Sequence, residues 1–420
     1  MKYRKIMALA LTACMVFPVS AFAESETTDI TLWTYPVGSW GDSAVVDGLI
    51  ANFNEVYPNI NVTVEYLDYT NGDDQVNTAI EGGQAPDIVF EGPERLVANW
   101  GAKGLMVDLA DLWTDEAKEA IYDSVEAACQ NNEGVFYEYP LCMTAHTMAI
   151  NREIFEAADA LQYLDEETRT WTTENFVKAV EAVYASGQEN VAAIYCNGQG
   201  GDQGTRALIN NLYGGTFTNA EHTEYTVNSE ENIKALELLT SMDGINIDAS
   251  ITGGDEIQLF CNGTLAMAFC WNIAQEVNNA ESISFDVLPM AFPSENGEPQ
   301  LCGGIWGFGI FDNGDEAKIE AAKTFIDFMA NDETQAVESV KASSYWPVKD
   351  LGNIYEGDEL KTEYALFTDY MGDYYQVVGG WAEARTAWWN MLQQIGSGTD
   401  IATAVEEFAT TANAAAAAAQ

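Results

Sequence analysis

Positive charge is the scarcest ingredient of this 420-residue chain, with 17 Lys and Arg against 66 Asp and Glu. A nucleic-acid binder needs cationic side chains to displace phosphate counterions, and anionic lipid asks for the same, so both partner classes are excluded. Histidine is nearly absent, with His146 and His222 as its two instances, and no Cys-x-x-Cys pair occurs, so the usual zinc clusters are missing. No Gly-Lys pair exists, hence no phosphate-binding P-loop, and neither a Gly-x-Ser-x-Gly elbow nor His-Glu-x-x-His is present. Gly198-Gln-Gly-Gly-Asp-Gln-Gly204 is glycine-rich without dinucleotide spacing and reads as a loop feeding a helix. Asp68–Asp74 fails the calcium-loop spacing. Among so many acids, carboxylate pairs of glycosidase type carry no information. No catalytic residue, metal ligand or cofactor is expected.

The remainder is globular in composition, 47% hydrophobic and only 20% charged. A basic start (Lys2, Arg4, Lys5), an apolar stretch and Ala21-Phe22-Ala23 predict an export signal over residues 1–23. Leu11-Thr12-Ala13-Cys14 is a competing lipoprotein box, although the residues after Cys14 are apolar and not a polar tether. After such cleavage 14 basic residues face 66 acidic ones, a net charge of −52. Six cysteines remain, at 129, 142, 196, 261, 270 and 302. They allow 15 pairings, and buried free thiols are the preferred reading.

Hydrophobic periodicity predicts strand Ile30–Thr34, a helix from Val45 to Tyr57 stopped by Pro58, strand 61–66, a polar helix from about Asp73, and strand 87–90. Strand and helix alternate as in an α/β unit with a largely parallel sheet. The theme returns with helices at 151–160 and 172–186, strand 191–195, helix 203–213 and a helix capped by Ser229. A strand at 305–311, a helix at 316–330 and helical chain from Trp381 onward complete it. Six alanines, 414–419, predict a frayed tail. Two α/β lobes on one chain are expected.

Aromatics stand out: 11 Trp, 19 Tyr and 18 Phe. In Trp381-Ala-Glu-Ala-Arg385-Thr-Ala-Trp388-Trp389, helical spacing sets Trp381, Arg385 and Trp388 on one face. An indole offers a flat apolar platform to a pyranose ring, and a guanidinium offers a fork of donors for hydroxyls. Packed core is the plainer use of the same residues.

Four blocks stand in order along the chain. They are Glu81-Gly-Gly-Gln-Ala-Pro-Asp-Ile-Val-Phe90 with its follow-on from Gly101 to Leu109, and Tyr139-Pro140 with Asn151-Arg-Glu-Ile-Phe155. Asn262-Gly-Thr-Leu-Ala-Met267 and Ala321-Ala-Lys-Thr-Phe-Ile-Asp-Phe328 complete the set. In this order they resemble the family 1 extracellular solute-binding proteins of ABC importers. The resemblance implies a two-lobed α/β fold of type II, with a ligand cleft between lobes and no reaction catalysed. Its implied lobes are 29–140 plus 290–331 and 141–289 plus 332–413, with crossings near Leu141, Pro289 and Asn331. It implies Trp381 and Trp271 as stacking platforms, Arg385 beside Trp381, and Glu94 and Arg95 as hydroxyl partners. Glu91 stands where the family's loop has an aromatic, and Thr144 stands where it has an acid, with His146 near. Trp40 follows the first strand and is a further cleft candidate, while Trp306 and Trp346 read as hinge or wall packing. The implied ligand is a neutral di- or oligosaccharide, the implied partner an importer permease, the protein a monomer. A receptor for a cationic solute such as a polyamine or peptide is the rival reading that the charge favours, and an exported carbohydrate-active enzyme is the rival from another class.

Overall fold

The computed structural model describes residues 27–69, 71–197 and 201–419. The expected leader over residues 1–23, Cys14 included, and residues 198–200 of the glycine loop lie outside the described residues. Strand β1 (Thr28–Thr34) buries Ile30, Leu32 and Thr34 on one face. It runs parallel to β2 (Ile60–Tyr66), from Thr28↔Ile60 to Thr34↔Tyr66, and parallel to β3 (Ile88–Glu91) on its other side. Parallel neighbours need crossovers, here the helices Ser43–Val56 and Gly72–Glu81. The first is started by Asp42, whose side chain accepts from the Ala44 N–H at 2.9 Å. It buries Val46, Leu49, Ile50 and Phe53.

The later strands are β4 (Tyr139–Ala145), β5 (Thr147–Asn151), β6 (Ala192–Asn197), β7 (Ile245–Thr252), β8 (Met267–Trp271), β9 (Val287–Met290), β10 (Gly303–Ile310) and β11 (Trp346–Pro347). One sheet has the order β11-β4-β10-β3-β1-β2, a second is β8-β5-β9, and β6 pairs with β7. A core around Leu32, Phe90, Phe308 and Phe325 serves the six-stranded sheet. A separate core around Ile150, Ile194, Trp271 and Trp388 serves the two smaller sheets.

The crossings differ from those expected at Leu141, Pro289 and Asn331. β4 stays in the six-stranded sheet through Ala145, and β5 joins the three-stranded sheet at Thr147, so the chain changes sheets at His146. Glycine is the reason β4 pairs so far: a Cβ on Gly303 would lie 1.9 Å from the Thr144 carbonyl oxygen. The return runs through 291–302, from the end of β9 to the start of β10. Residues 332–348 also pack on the first core. Helix Gln335–Ser343 presents Ser339, whose carbonyl accepts from Trp40 Nε1 at 3.0 Å, and β11 pairs with β4.

The alanine tail is not frayed. Helix Ile401–Ala418 runs almost to the end of the chain, with Ala409, Ala412 and Ala416 buried. It lies against Gly380, which has φ +69° and whose added Cβ would stand 2.6 Å from Ala415. Small residues on both sides let the two backbones approach. The six cysteines are buried free thiols. Burial pushes Cys142, Cys196 and Cys270 up to about 12, far from the thiolate form. No helix among the described residues is long and apolar enough to cross a membrane.

Candidate functional site

Strand β3 ends at Glu91, and the chain turns through Gly92 and Pro93 into Glu94 and Arg95. Glycine is required at 92, since a Cβ there would meet the Ile305 carbonyl and a Glu94 oxygen, each at 2.7 Å. Arg95 sits at the centre of the resulting cluster. Its Nη1 lies 2.7 Å from Glu91 Oε1, its Nε 2.7 Å from Asp73 Oδ1, and Glu94 is 3.8 Å away. The guanidinium stands 5.0 Å from the Tyr35 ring centroid and 5.8 Å from that of Tyr69, and the two rings stack at 5.4 Å. Tyr35 also donates its hydroxyl to Asp73. Burial opposes the charge on Arg95, but Glu91 and Asp73 outweigh it and hold the guanidinium firmly protonated. Burial raises Glu91 above the carboxylate range, and Arg95 offsets this only in part.

Glu94 is half-buried and accepts from Tyr374 Oη at 2.9 Å. Behind it lies Glu138, fully buried, with no hydrogen-bond partner on either carboxyl oxygen among the described residues. Burial first, then Glu94 and Glu91, push its carboxyl well above the usual range, so it is held neutral.

The facing side is built from helix Asp202–Leu212 and helix Trp381–Gly396. Asp202 receives both forks of Arg385, Nη2 at 2.7 Å and Nε at 3.1 Å, and also pairs with Arg206 one turn on. Such two-pronged contacts fix geometry as well as charge. Arg206 is fully buried, donating to Tyr375 Oη at 3.2 Å and Gln376 Oε1 at 3.3 Å. Trp381, Phe217 and Tyr375 surround it at 4.8, 5.3 and 5.6 Å. Burial lowers Arg385, and Glu94 from the opposite half is the largest opposing influence. An acid-rich cluster therefore faces an arginine-rich one.

The expected residues separate into three groups. Glu91, Glu94, Arg95 and Arg385 are brought together here. Trp381 is 8% exposed, with the Arg206 guanidinium 4.8 Å from its ring centroid. Trp271 and Trp40 are core residues. Trp271 donates Nε1 to Tyr364 Oη at 2.8 Å and meets Phe260 edge-on, while Trp40 packs on Phe90 at 4.5 Å. Thr144 is buried on β4, and His146 occupies the sheet-to-sheet passage with its backbone N–H donated to the Cys302 carbonyl at 2.9 Å. Burial and the Arg206 charge lower His146 to about 4, so it is neutral at ordinary pH.

Sequence reasoning missed Asp73, Asp202, Arg206, Tyr69 and Tyr374. Tyr69 is 51% exposed beside Arg95. Trp306 is half-buried and stacks on Tyr345 at 4.9 Å and 14°. Tyr69 lies at the Arg95 cluster, and Trp306 follows Ile305, whose carbonyl adjoins Gly92. Glu138 was findable: it is the sole acid in the apolar run Val135–Met143.

Among the described residues no group of three or more His, Cys, Asp or Glu is placed to hold a metal ion. Curated protein sequences contain no match to the chain. Many solved structures share its fold, among them the following three. A putative oligosaccharide periplasmic-binding protein from Synechococcus sp. MITs9220 is 16% identical, TM-score 0.74, over 93% of this chain and 99% of its own. A cyclic alpha-maltosyl-1,6-maltose binding protein from Arthrobacter globiformis is 18% identical, TM-score 0.73, with the same coverage of 93% and 99%. An ABC substrate-binding protein from Listeria monocytogenes in complex with cycloalternan is 19% identical, TM-score 0.68, again over 93% and 99%. The family model described as bacterial extracellular solute-binding protein matches residues 38–336, well over half of the sequence, and the chain belongs to that family.

Proposed function

We infer that this protein is the extracytoplasmic receptor of an ABC importer, capturing a neutral di- or oligosaccharide between its lobes and delivering it to a membrane permease. The observation that carries the reading is the pair of facing clusters, Glu94 and Arg95 on one side and Arg385 with Asp202 on the other. Carboxylates accept from sugar hydroxyls and guanidinia donate to them, so one ring engages both sides at once. Tyr69 and the stacked Trp306 and Tyr345 supply apolar faces for its C–H surface. The oligosaccharides named for the Arthrobacter and Listeria structures support the ligand class. Closure follows from contacts made only when the lobes meet, so ligand shifts the population toward the closed form. No bond is made or broken.

A thermal-shift screen tests this, because a ligand bound only to the native state adds RT ln(1 + [L]/Kd) of stability. At least one neutral glycan raises the melting temperature, and both Glu94→Gln and Arg385→Ala abolish the rise. Purified protein leaves the glycan unconsumed, which separates receptor from enzyme. One observation favours a second reading: Asp73, Glu91 and Glu94 surround the single cation Arg95. A panel in which putrescine or a basic peptide stabilises the protein and no glycan does would replace the sugar with a cationic solute.

A further inference from the structure

Strand β10 passes between β3 and β4 at Gly307, which stands opposite Glu91 on one side and Pro140 on the other. Glycine at 307 leaves room for an acid: a Cβ there would lie 2.8 Å from Glu138 Oε1, so the Glu138 carboxyl is seated over bare backbone. Glu91, directly across the ladder, projects from the same face of the sheet. Two residues earlier on β10, the Ile305 carbonyl adjoins Gly92, and a Glu94 oxygen adjoins it too. Three carboxyl groups thus converge on one short stretch of one strand. We propose that Glu138 couples a proton to lobe closure: the lobes come together with its carboxyl protonated, and ionisation of that carboxyl drives them apart. The coupling rests on the closing lobes of the receptor reading above and not on the identity of its ligand.

Two of the three acids have partners. Arg95 holds Glu91 at 2.7 Å, and Tyr374 donates to Glu94 at 2.9 Å. Glu138 has none on either oxygen among the described residues, and it is closed off from solvent. Its surroundings offer no compensation for a charge. Leu96 and Met106 crowd the same side of β10 at Gly309. Tyr374, Cys129 and Cys142 are the other titratable groups within its field, all uncharged acids pushed up by burial. The cation of the cluster, Arg95, is engaged by Glu91 and Asp73. A carboxylate at 138 would lose its hydration and gain two acidic neighbours, so this carboxyl keeps its proton while it stays dry. The cover over it includes the one segment shared by both halves. Tyr374 belongs to the core of the six-stranded sheet and Tyr375 to the other core. Withdrawal of Tyr374 from Glu94 removes a donor from the cluster and lets water reach it. A hydrated Glu138 releases its proton to solvent near the ordinary value of 4.5. Above that pH, up to the raised value of the dry carboxyl, the closed form holds one proton more than the open form. Acid therefore favours closure, and rising pH favours opening.

The test uses the full chain without ligand, its glutamate side-chain carboxyls labelled with carbon-13 and followed by NMR from pH 5 to pH 9. The Glu138 signal is the one missing from Glu138→Gln, or from Glu138→Asp where the first variant does not fold. Small-angle scattering and far-ultraviolet circular dichroism cover the same range. In wild type the Glu138 carboxyl ionises more than one pH unit above 4.5, and the radius of gyration rises with the same midpoint. The ratio of compact to expanded molecules falls by up to about tenfold per pH unit, as one linked proton demands, while the dichroism stays constant. Glu138→Gln, which cannot ionise, keeps one radius throughout. A wild-type radius constant from pH 5 to pH 9 overturns the coupling, as does a Glu138 carboxyl that titrates at the ordinary value. Expansion of Glu138→Gln at the wild-type midpoint, or expansion that comes with lost dichroism, does the same. No glycan is added, so a failed glycan screen leaves the result standing. A glycan that binds and compacts the protein while pH leaves the radius unchanged strikes the coupling alone.

Discussion

At the scale of single residues the tryptophans divide by what their N–H and ring faces touch. Trp40 and Trp271 are fully buried with satisfied N–H groups, so truncation to Ala removes core. Each substitution is expected to cost about 3–5 kcal/mol of stability, read as a fall in denaturation midpoint. Tyr69 and Trp306 keep exposed surface, so Tyr69→Ala and Trp306→Ala are expected to leave the midpoint nearly unchanged. They should weaken glycan binding by about 2 kcal/mol, or roughly 30-fold. Calorimetry on the four variants decides, and the reverse pattern would return the site to Trp40 and Trp271. Glu138 supplies a pH prediction. Burial raises its folded pKa, so its stabilising share is fully present below the unfolded value and is lost as pH rises toward the folded one. Melting temperature should therefore fall as pH rises above about 4.5, the ordinary carboxylate value, and Glu138→Gln, which keeps shape without charge, should flatten the fall. His146 acts in the other direction: lowered to about 4, it withdraws stability as pH drops from 6.5 toward 4. A Glu138→Gln melting curve that falls with pH as steeply as wild type would mean that Glu138 finds a partner. That Glu91, Glu94 and Arg95 are neighbours was legible because one short stretch of chain holds them. Asp73 and Asp202 come from separate helices, and only tertiary structure brings them to Arg95 and Arg385.

At the scale of elements, what was legible was periodic. The helix Ser43–Val56, with its Asp42 start and four buried apolar residues at helical spacing, stands within two residues of expectation. The parallel unit β1–β3 was readable because strand and crossover helix alternate in a short span. Sheet membership was not. Nothing local in Tyr139–Ala145 says that it pairs with Gly303–Phe308, some 160 residues away, and that pairing delays the crossing to His146. The alanine tail failed for a related reason. Alanine is the best helix former, and its small side chain suits close packing, but the partner Gly380 lies more than thirty residues earlier. Deleting residues 414–420 should then lower the melting temperature, and Gly380→Ala should do so without deletion, since its positive φ and the Ala415 backbone both oppose a Cβ. Unchanged melting in both variants would restore the frayed tail.

At the scale of the whole molecule, two cores joined by the passages at His146, 291–302 and the segment after β11 make relative motion of the lobes the natural source of function. Segment 371–380 touches both cores. Tyr374 belongs to the core of the six-stranded sheet, and its neighbour Tyr375 to the other. Tyr374 donates to Glu94 at 2.9 Å, and Gln376 donates to the Gly303 carbonyl at 2.9 Å, so the stretch leading into helix Trp381–Gly396 is tied to the loop that carries Arg95. A hydrogen bond to a charged acceptor contributes about 1.5 kcal/mol. If the bond exists only with the lobes together, Tyr374→Phe lowers the closed population relative to the open one by about tenfold, and apparent glycan affinity by a similar factor. The variant keeps the ring, so core packing and melting temperature should hold. Small-angle scattering separates closure from plain contact loss. Unliganded Tyr374→Phe should show a larger radius of gyration than unliganded wild type, and saturating glycan should bring both to the same compact value. Weakened binding with identical radii would make Tyr374 a ligand contact and leave Glu94 free of any part in closure. Unchanged affinity together with unchanged radii would make the two lobes a single rigid body, and recognition would then rest on a preformed groove.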